Sequence, residues 1–409
     1  MKRRMRPFTK FLAAAGAVLA MGLTAAGIKG EEQRAIKIGV LTDMSSVYAA
    51  HGGPGSVEAA HMAVEDFGGS VLGRPIEILS ADHHNNTGLG VSIARRWYAE
   101  GVTAIADVAN SAVALAVERV SQEAKRIVLF SSPASADLTG SNCSPYAVDW
   151  TYDTYALAHG TAKAITRSGG NSWFFITSDY AFGYAMQRDA ANVISSGGGM
   201  VLGSVTVPLG LIDFSRYLLQ AKTSQAQVVG LAISGQEMIS AIKEASDFSI
   251  IQDGQRLAGL LVFITDVHRL GLKTAQGLLM TTAYYWDHNA ATRAFAGRFF
   301  RRMKRMPTMV QAGVYGAITH YLKAIQAAGT KDADAVMAKM REMPINDFMT
   351  HDGRLRIDGR VLRDMYLYEV KKPSESRYPW DYLKLLQTIS PGEAFRPLSE
   401  GGCPLVAQH

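Results

Sequence analysis

Backbone amides gathered at a glycine turn are the first chemistry this chain offers. His51-Gly52-Gly53-Pro54-Gly55 follows the apolar run Ile36–Leu41 and opens a helical stretch from Ser56 to Phe67. Such a turn at a helix start presents N–H groups and the positive end of the helix dipole to something small and anionic. It does not fit the G-x-G-x-x-G spacing of a dinucleotide site, and Asp82, near the end of the second apolar run, leads into polar loop residues. No HExxH, G-x-S-x-G or GxxxxGK(S/T) pattern occurs. His83 and His84 beside Asp82 lack spaced third and fourth ligands, and adjacent imidazoles rarely converge on one ion. They read as a solvated loop, with no metal and no cofactor expected. Tyr284-Tyr285-Trp286 puts three aromatics in a row, which cannot all face one core.

The elements that must position these residues alternate between short apolar strands and amphipathic helices. Ile36–Leu41, Ile76–Ser80, Ala104–Asp107 and Ile127–Phe130 read as strands. Between them Val57, Ala60, Val64 and Phe67 share one helical face, and Leu89–Glu100 and Ala112–Lys125 follow as helices. This is the pattern of a parallel sheet with crossover helices. Near Pro145–Trp150 the plan starts again. Helix Thr154–Arg167, strand Trp173–Thr177, the turn Ser178–Gly183 and a helix from Tyr184 come first. Strands Val201–Val207, Val228–Ile233 and Leu260–Ile264 continue the unit, with helices Phe214–Lys222 and Gln236–Ser246 between them. Strand Gly277–Ala283 precedes two helices, 290–305 and 309–328, that return to the first unit. Asp352–Asp358 and Met365–Val370 read as a closing hairpin with Gly359 near the turn.

The chain of 409 residues opens on an export leader. Lys2, Arg3, Arg4, Arg6 and Lys10 form a basic front, Phe11 to Ala26 is apolar, and Thr24-Ala25-Ala26 offers small side chains for cleavage near Ala26. The apolar run is shorter than the roughly 20 residues of a membrane span. Arg3-Arg4 fits the twin-arginine route as well as an ordinary secretory front. Five of the six net positive charges lie in this leader, which leaves +1 for the rest. The basic balance therefore points to neither nucleic acid nor membrane partners. Roughly 380 remaining residues exceed what one core usually serves, so two lobes are expected. Cys143 and Cys403, an even pair in an exported chain, predict one disulfide between an early loop and the tail.

Taken together, IKIGVLTDMSSVYAAHGGPG at 36–55, SSPASADLTG at 131–140, TSDYAFG at 177–183 and PTMVQAGVYGAITHYLKAI at 307–325 resemble the type I periplasmic solute-binding proteins of ABC importers, in the branched-chain amino acid (Leu/Ile/Val-binding) group. The closing stretch DMYLYEVKKPSESRYPWDYLKLL is similar to a subgroup that takes up aromatic and related small carboxylates. The resemblance implies an α/β fold of two Rossmann-like lobes with parallel sheets, joined by a three-segment hinge. The ligand sits in the cleft, beyond the carboxyl ends of the strands, and hinge closure traps it. The expected boundaries are a signal peptide at 1–26, an N-terminal lobe at 35–147 and 284–350, a C-terminal lobe at 148–283 and 351–388, and a tail at 389–409.

The same resemblance nominates cleft residues. The first loop supplies Tyr48, with Ser46 near it. The second supplies Asn110 and Ser111, and Ser111 is also a natural N-cap. The third, Ser132-Pro133-Ala134-Ser135, implies amides at Ala134 and a hydroxyl at Ser135 for a ligand carboxylate. The second lobe offers Tyr180 and Phe182, with Tyr152 at the start of its first helix. Tyr285 and Trp286 form a lid or brace the hinge. Gly235 opens a helix on which Glu237 binds a ligand ammonium or only complements its own helix dipole. The doubtful ammonium site favours an aromatic or keto acid over leucine. The expected protein is a periplasmic monomer and not an enzyme. It binds a small carboxylate and delivers it to an ABC permease. A receptor for branched-chain amino acids or a short amide such as urea is the alternative in the same fold; an exported hydrolase is the alternative of another class.

Overall fold

The computed structural model describes residues 35–248, 250 and 254–406. The leader expected at 1–26 lies outside them. The first sheet orders its strands β2-β3-β1-β4-β5-β6. Its members are β1 (Ile36–Thr42), β2 (Ser70–Val71), β3 (Arg74–Asp82), β4 (Val102–Asp107), β5 (Ile127–Phe130) and β6 (Ala147–Asp149). All its pairings are parallel except β2 with β3. β4 and β5 are buried along their whole length, as strands covered by helices on both faces must be.

A second sheet, parallel throughout, orders β10-β9-β7-β8 from β7 (Ser172–Ser178), β8 (Met200–Val207), β9 (Val228–Ala232) and β10 (Arg256–Gly259). The two parallel sheets are the frames of two lobes. The run Thr154–Arg167 that joins the sheets is helical with a π turn at Ala158–Ala162. A Cβ at Gly160 in that turn would meet Thr281 Oγ1 at 2.0 Å, so only glycine lets the helix lie against β11 (Leu279–Thr282). β12 (Arg354–Leu355) pairs with β13 (Val361–Leu362). β11 pairs with β14 (Met365–Val370), and β14 with β15 (Leu383–Ile389), all antiparallel.

Three sequence expectations shift here. The closing hairpin turns at Gly359, whose φ is +87°, but joins β12 to β13; Met365–Val370 pairs with β11 and β15 instead. The strand expected at Leu260–Ile264 lies four residues earlier, at Arg256–Gly259. Phe263 then caps the helix Ile264–Leu270, its N–H donating to Asp266 Oδ2 at 2.9 Å, which ends the extended run. The helix expected from Tyr184 starts at Ala181.

Helix Met309–Ala328 packs on helix Gly53–Phe67, so the late helices do return to the first sheet. From helix Ala290–Met303, Arg298 pairs with Asp66 at 2.6 Å and Arg302 with Glu65 at 2.7 Å on the same helix Gly53–Phe67. The buried Arg360 sits between Asp149, at 2.7 Å, and Asp153, at 3.5 Å, where the chain leaves the first sheet. The disulfide Cys143–Cys403 forms, spanning 260 residues with the Cα atoms 5.6 Å apart, and fastens the tail to the early loop. No helix among the described residues is long and apolar enough to cross a membrane.

Candidate functional site

Loops at the carboxyl ends of both parallel sheets meet around a small cavity of about 20 Å³. From the first sheet come Tyr48 and His51 after β1, Ala109 and Ser111 after β4, and Ser132 and Ala134 after β5. Tyr152 lies on the crossing segment. From the second sheet come Tyr180 and Phe182 after β7, Ser234 after β9, and Leu261 and Phe263 after β10.

Asp43 builds the first loop. Its carboxylate accepts from Ser46 N–H at 2.8 Å, Tyr48 N–H at 2.9 Å, Ser46 Oγ at 2.7 Å and Asn85 Nδ2 at 2.8 Å. Burial alone would push Asp43 up, but these donors outweigh it and hold the carboxyl below its ordinary value. The loop so fixed aims the Tyr48 ring across the cleft, where its hydroxyl meets that of Tyr180 at 2.5 Å. Burial raises both phenols, so both stay protonated and one donates to the other. His51 reaches across in the same way, with Nε2 3.0 Å from Asp266 Oδ1 and its ring tilted by 30° against Phe263, the centroids 3.8 Å apart. Gly235 also touches the opposite wall: with φ +69°, it leaves so little room that a Cβ would lie 2.3 Å from Val47 O.

The second and third loops are tied to each other. Ser111 Oγ accepts from the amides of Ala134 and Ser135, each at 3.2 Å. Tyr152 donates its hydroxyl to Ser132 O at 2.6 Å and packs edge-on to Phe263. The N-cap is Asn110 rather than Ser111: Asn110 Oδ1 accepts from Ala112 N–H at 2.9 Å and Val113 N–H at 3.2 Å.

Of the residues singled out in the sequence, Tyr48, Ser111, Ala134, Tyr152, Tyr180 and Phe182 come together on the cavity wall. Asn110 stands behind it as a cap. Ser135 is fully buried and caps the turn Ala136–Thr139, its Oγ accepting from Asp137 N–H at 3.3 Å. Ser46 is bound up with Asp43 and Asn85 at the exposed rim. Glu237 is buried behind the wall, accepting from Ser178 Oγ at 3.0 Å and Gly210 N–H at 2.5 Å. Burial raises its carboxyl to about 7 against the pull of those bonds. Tyr285 and Trp286 do not line the cavity. Tyr285 Oη donates to Trp380 O at 3.1 Å and Trp286 Nε1 donates to the same oxygen at 2.9 Å. The sequence reading missed His51, Leu261 and Phe263. The glycine turn drew attention to its amides and not to the ring beside them, and the apolar run 260–264 passed for a strand.

A sequence profile described as periplasmic binding protein matches residues 35–376. The chain belongs to the periplasmic binding protein family. A periplasmic binding protein from Burkholderia mallei is 47% identical, with a TM-score of 0.89 over 91% of this chain and 99% of that one. A branched chain amino acid ABC transporter periplasmic ligand-binding protein from Burkholderia xenovorans LB400 is 40% identical, with a TM-score of 0.81 over 90% and 99%. The Leu/Ile/Val-binding protein homolog 6 of Brucella melitensis is 25% identical over 300 residues, 71% of this chain and 75% of its own length. This periplasmic binding protein thus has the type I, two-lobed architecture of the solute-binding components of ABC transporters. The wall described above lies between the carboxyl ends of the two parallel sheets.

Proposed function

We propose that this cleft captures a small carboxylate carrying no ammonium group, an aromatic or keto acid, and that closure presents it to an ABC permease of the inner membrane. One observation carries the reading: the cavity wall holds aromatic faces and hydroxyls but no Asp or Glu. Tyr48, Tyr152, Tyr180, Phe182 and Phe263 are flat and largely buried, suited to a ring or a short apolar body. Ser111 and Ser132 are donors for carboxylate oxygens, and Ser111 starts a helix whose dipole favours an anion. An ammonium taken out of water against such a wall would have no counter-charge in contact, which is costly. Glu237, the candidate counter-charge, already spends its oxygens on Ser178 and Gly210.

A second reading is favoured by the Burkholderia xenovorans relative, whose name assigns it to branched chain amino acids. Thermal shift of the purified protein against benzoates, cinnamates, aromatic keto acids, leucine, valine and urea separates the two. A ligand at a hundred times its dissociation constant stabilises by about 2.7 kcal/mol. A rise with the acids and none with leucine or valine is expected. A rise confined to the amino acids overturns the proposal.

A further inference from the structure

A cavity of about 400 Å³ lies outside the cleft, between the run Thr154–Arg167, the helix Ala181–Ser196 and the tail at Glu400. Sites for small molecules span roughly 300–1,000 Å³, so it is large enough for one. Lys163 and Arg167, one helical turn apart, both line it. Neither makes an ion pair or a side-chain hydrogen bond among the described residues. The carboxylates nearby leave this charge in place. Asp189 is held by Arg188 Nε at 3.1 Å and by Thr154 Oγ1 at 2.6 Å. Glu400 is exposed on the short tail turn Leu398–Glu400. A neighbouring cavity of about 60 Å³ shares Lys163 and Arg167 and adds Glu393, whose Oε2 accepts from Ser390 Oγ at 3.3 Å. Neutral donors complete the wall. Asn192 and Ser196 face solvent one turn apart on the second helix. Thr166 also lines the cavity; it is 5% exposed, and its hydroxyl has no hydrogen-bond partner in the protein. A buried hydroxyl left so is costly unless something meets it. On the remaining side the Tyr155 ring stacks on His159, the centroids 3.8 Å apart, which gives a flat face.

We infer that this cavity is a second binding site, for a soluble phosphomonoester dianion whose organic body lies on the Tyr155–His159 face. Two cations without protein partners match the two negative charges of the ligand. The guanidinium of Arg167 suits two phosphate oxygens at once, and the ammonium of Lys163 acts as a point charge beside it. The hydroxyls of Thr166 and Ser196 and the amide of Asn192 are donors for the third oxygen. The volume exceeds what a bare phosphate fills, and the stacked pair offers its excess to something flat. None of these residues lines the cleft cavity, so the inference stands whatever the cleft binds.

Titration calorimetry of the purified protein with phenyl phosphate, at fixed ionic strength, tests this. A saturable site with a dissociation constant below about 1 mM is expected. Lys163→Ala and Arg167→Ala should each weaken it by about tenfold, and the double variant should abolish it. Glu400→Gln removes the exposed acid at the rim and should tighten binding by about threefold. None of these side chains belongs to a buried core, so all the variants should melt as the wild type does. Dimethyl phosphate carries one charge, as a lipid phosphodiester does, and should bind at least tenfold more weakly than phenyl phosphate. Four results would each overturn the site: no saturable binding, a double variant that titrates like the wild type (the mark of phosphate entering the cleft instead), weaker binding in Glu400→Gln, or equal binding of dimethyl phosphate.

Discussion

Around the cleft, the hydroxyls of Tyr48 and Tyr180 point at each other from opposite lobes, and Phe263 packs against a histidine that crosses the gap. Where the chain passes between the sheets, Tyr285 and Trp286 both donate to one carbonyl, that of Trp380. Trp380 has a φ of +68°, a region that bulky side chains avoid, and its ring stacks on His268 at 3.9 Å. The two regions draw on the same residue types for opposite ends. In the first, the polar tips face the space between the lobes. In the second, the tips are consumed in holding a strained turn. What an aromatic does here is decided by where its hydrogen-bonding atom finds a partner, not by its size.

Deletions on either side should therefore separate binding from stability. Phe263→Ala removes a ring 3% exposed from the cleft wall and should cost about 3–5 kcal/mol in stability, with ligand binding lost. Chemical denaturation and calorimetry check both. Trp286→Ala, at the half-buried bracket, should cost about 2–3 kcal/mol and leave affinity unchanged within twofold. A tenfold loss of affinity in Trp286→Ala would erase the distinction between the regions.

Glu237, behind the wall, sharpens the comparison by its pH dependence. Its folded pKa of about 7 lies above its ordinary 4.5, so the folded protein holds this proton more tightly than the unfolded chain. The stability it contributes is full below pH 4.5 and falls as pH rises through 7, by on the order of 3 kcal/mol. Glu237→Gln should flatten that part of a melting-temperature profile. An unaltered profile would show that Glu237 does not titrate there. The smallest effect is expected of Tyr48→Phe, which deletes one hydroxyl of the inter-lobe pair. It should weaken ligand binding about fivefold, near 1 kcal/mol, with little change in melting temperature.

Much of the fold was legible because its signals are local. Ile127–Phe130 and 309–328 stand as the apolar periods required. The order of loops in the cleft followed from the βα alternation, and Tyr48, Ser111, Ala134, Tyr152, Tyr180 and Phe182 came with it. What escaped depends on which hydrogen bond each side chain makes, which composition does not announce. Leu260–Phe263 has the composition of a strand, and only the cap that Asp266 places on Phe263 bends it into the cleft. Ser135 and Asn110 are polar loop residues in the right neighbourhood, but local amides claim their side-chain oxygens. Tyr285 and Trp286 sit beside the crossing as expected, yet their partner, Trp380, lies 94 residues beyond Trp286. No spacing rule in the sequence announces that meeting.

The central claim is that this cleft accepts a carboxylate and refuses an ammonium. Calorimetric titration with two matched pairs tests it most directly: phenylpyruvate against phenylalanine, and the keto acid of leucine against leucine. Within each pair only the amino group is replaced by a keto oxygen. The account predicts that a keto acid binds at least tenfold more tightly than its amino acid, since an ammonium left without a counter-charge costs more than about 1.4 kcal/mol. Tighter binding of leucine or phenylalanine than of its keto partner would contradict it.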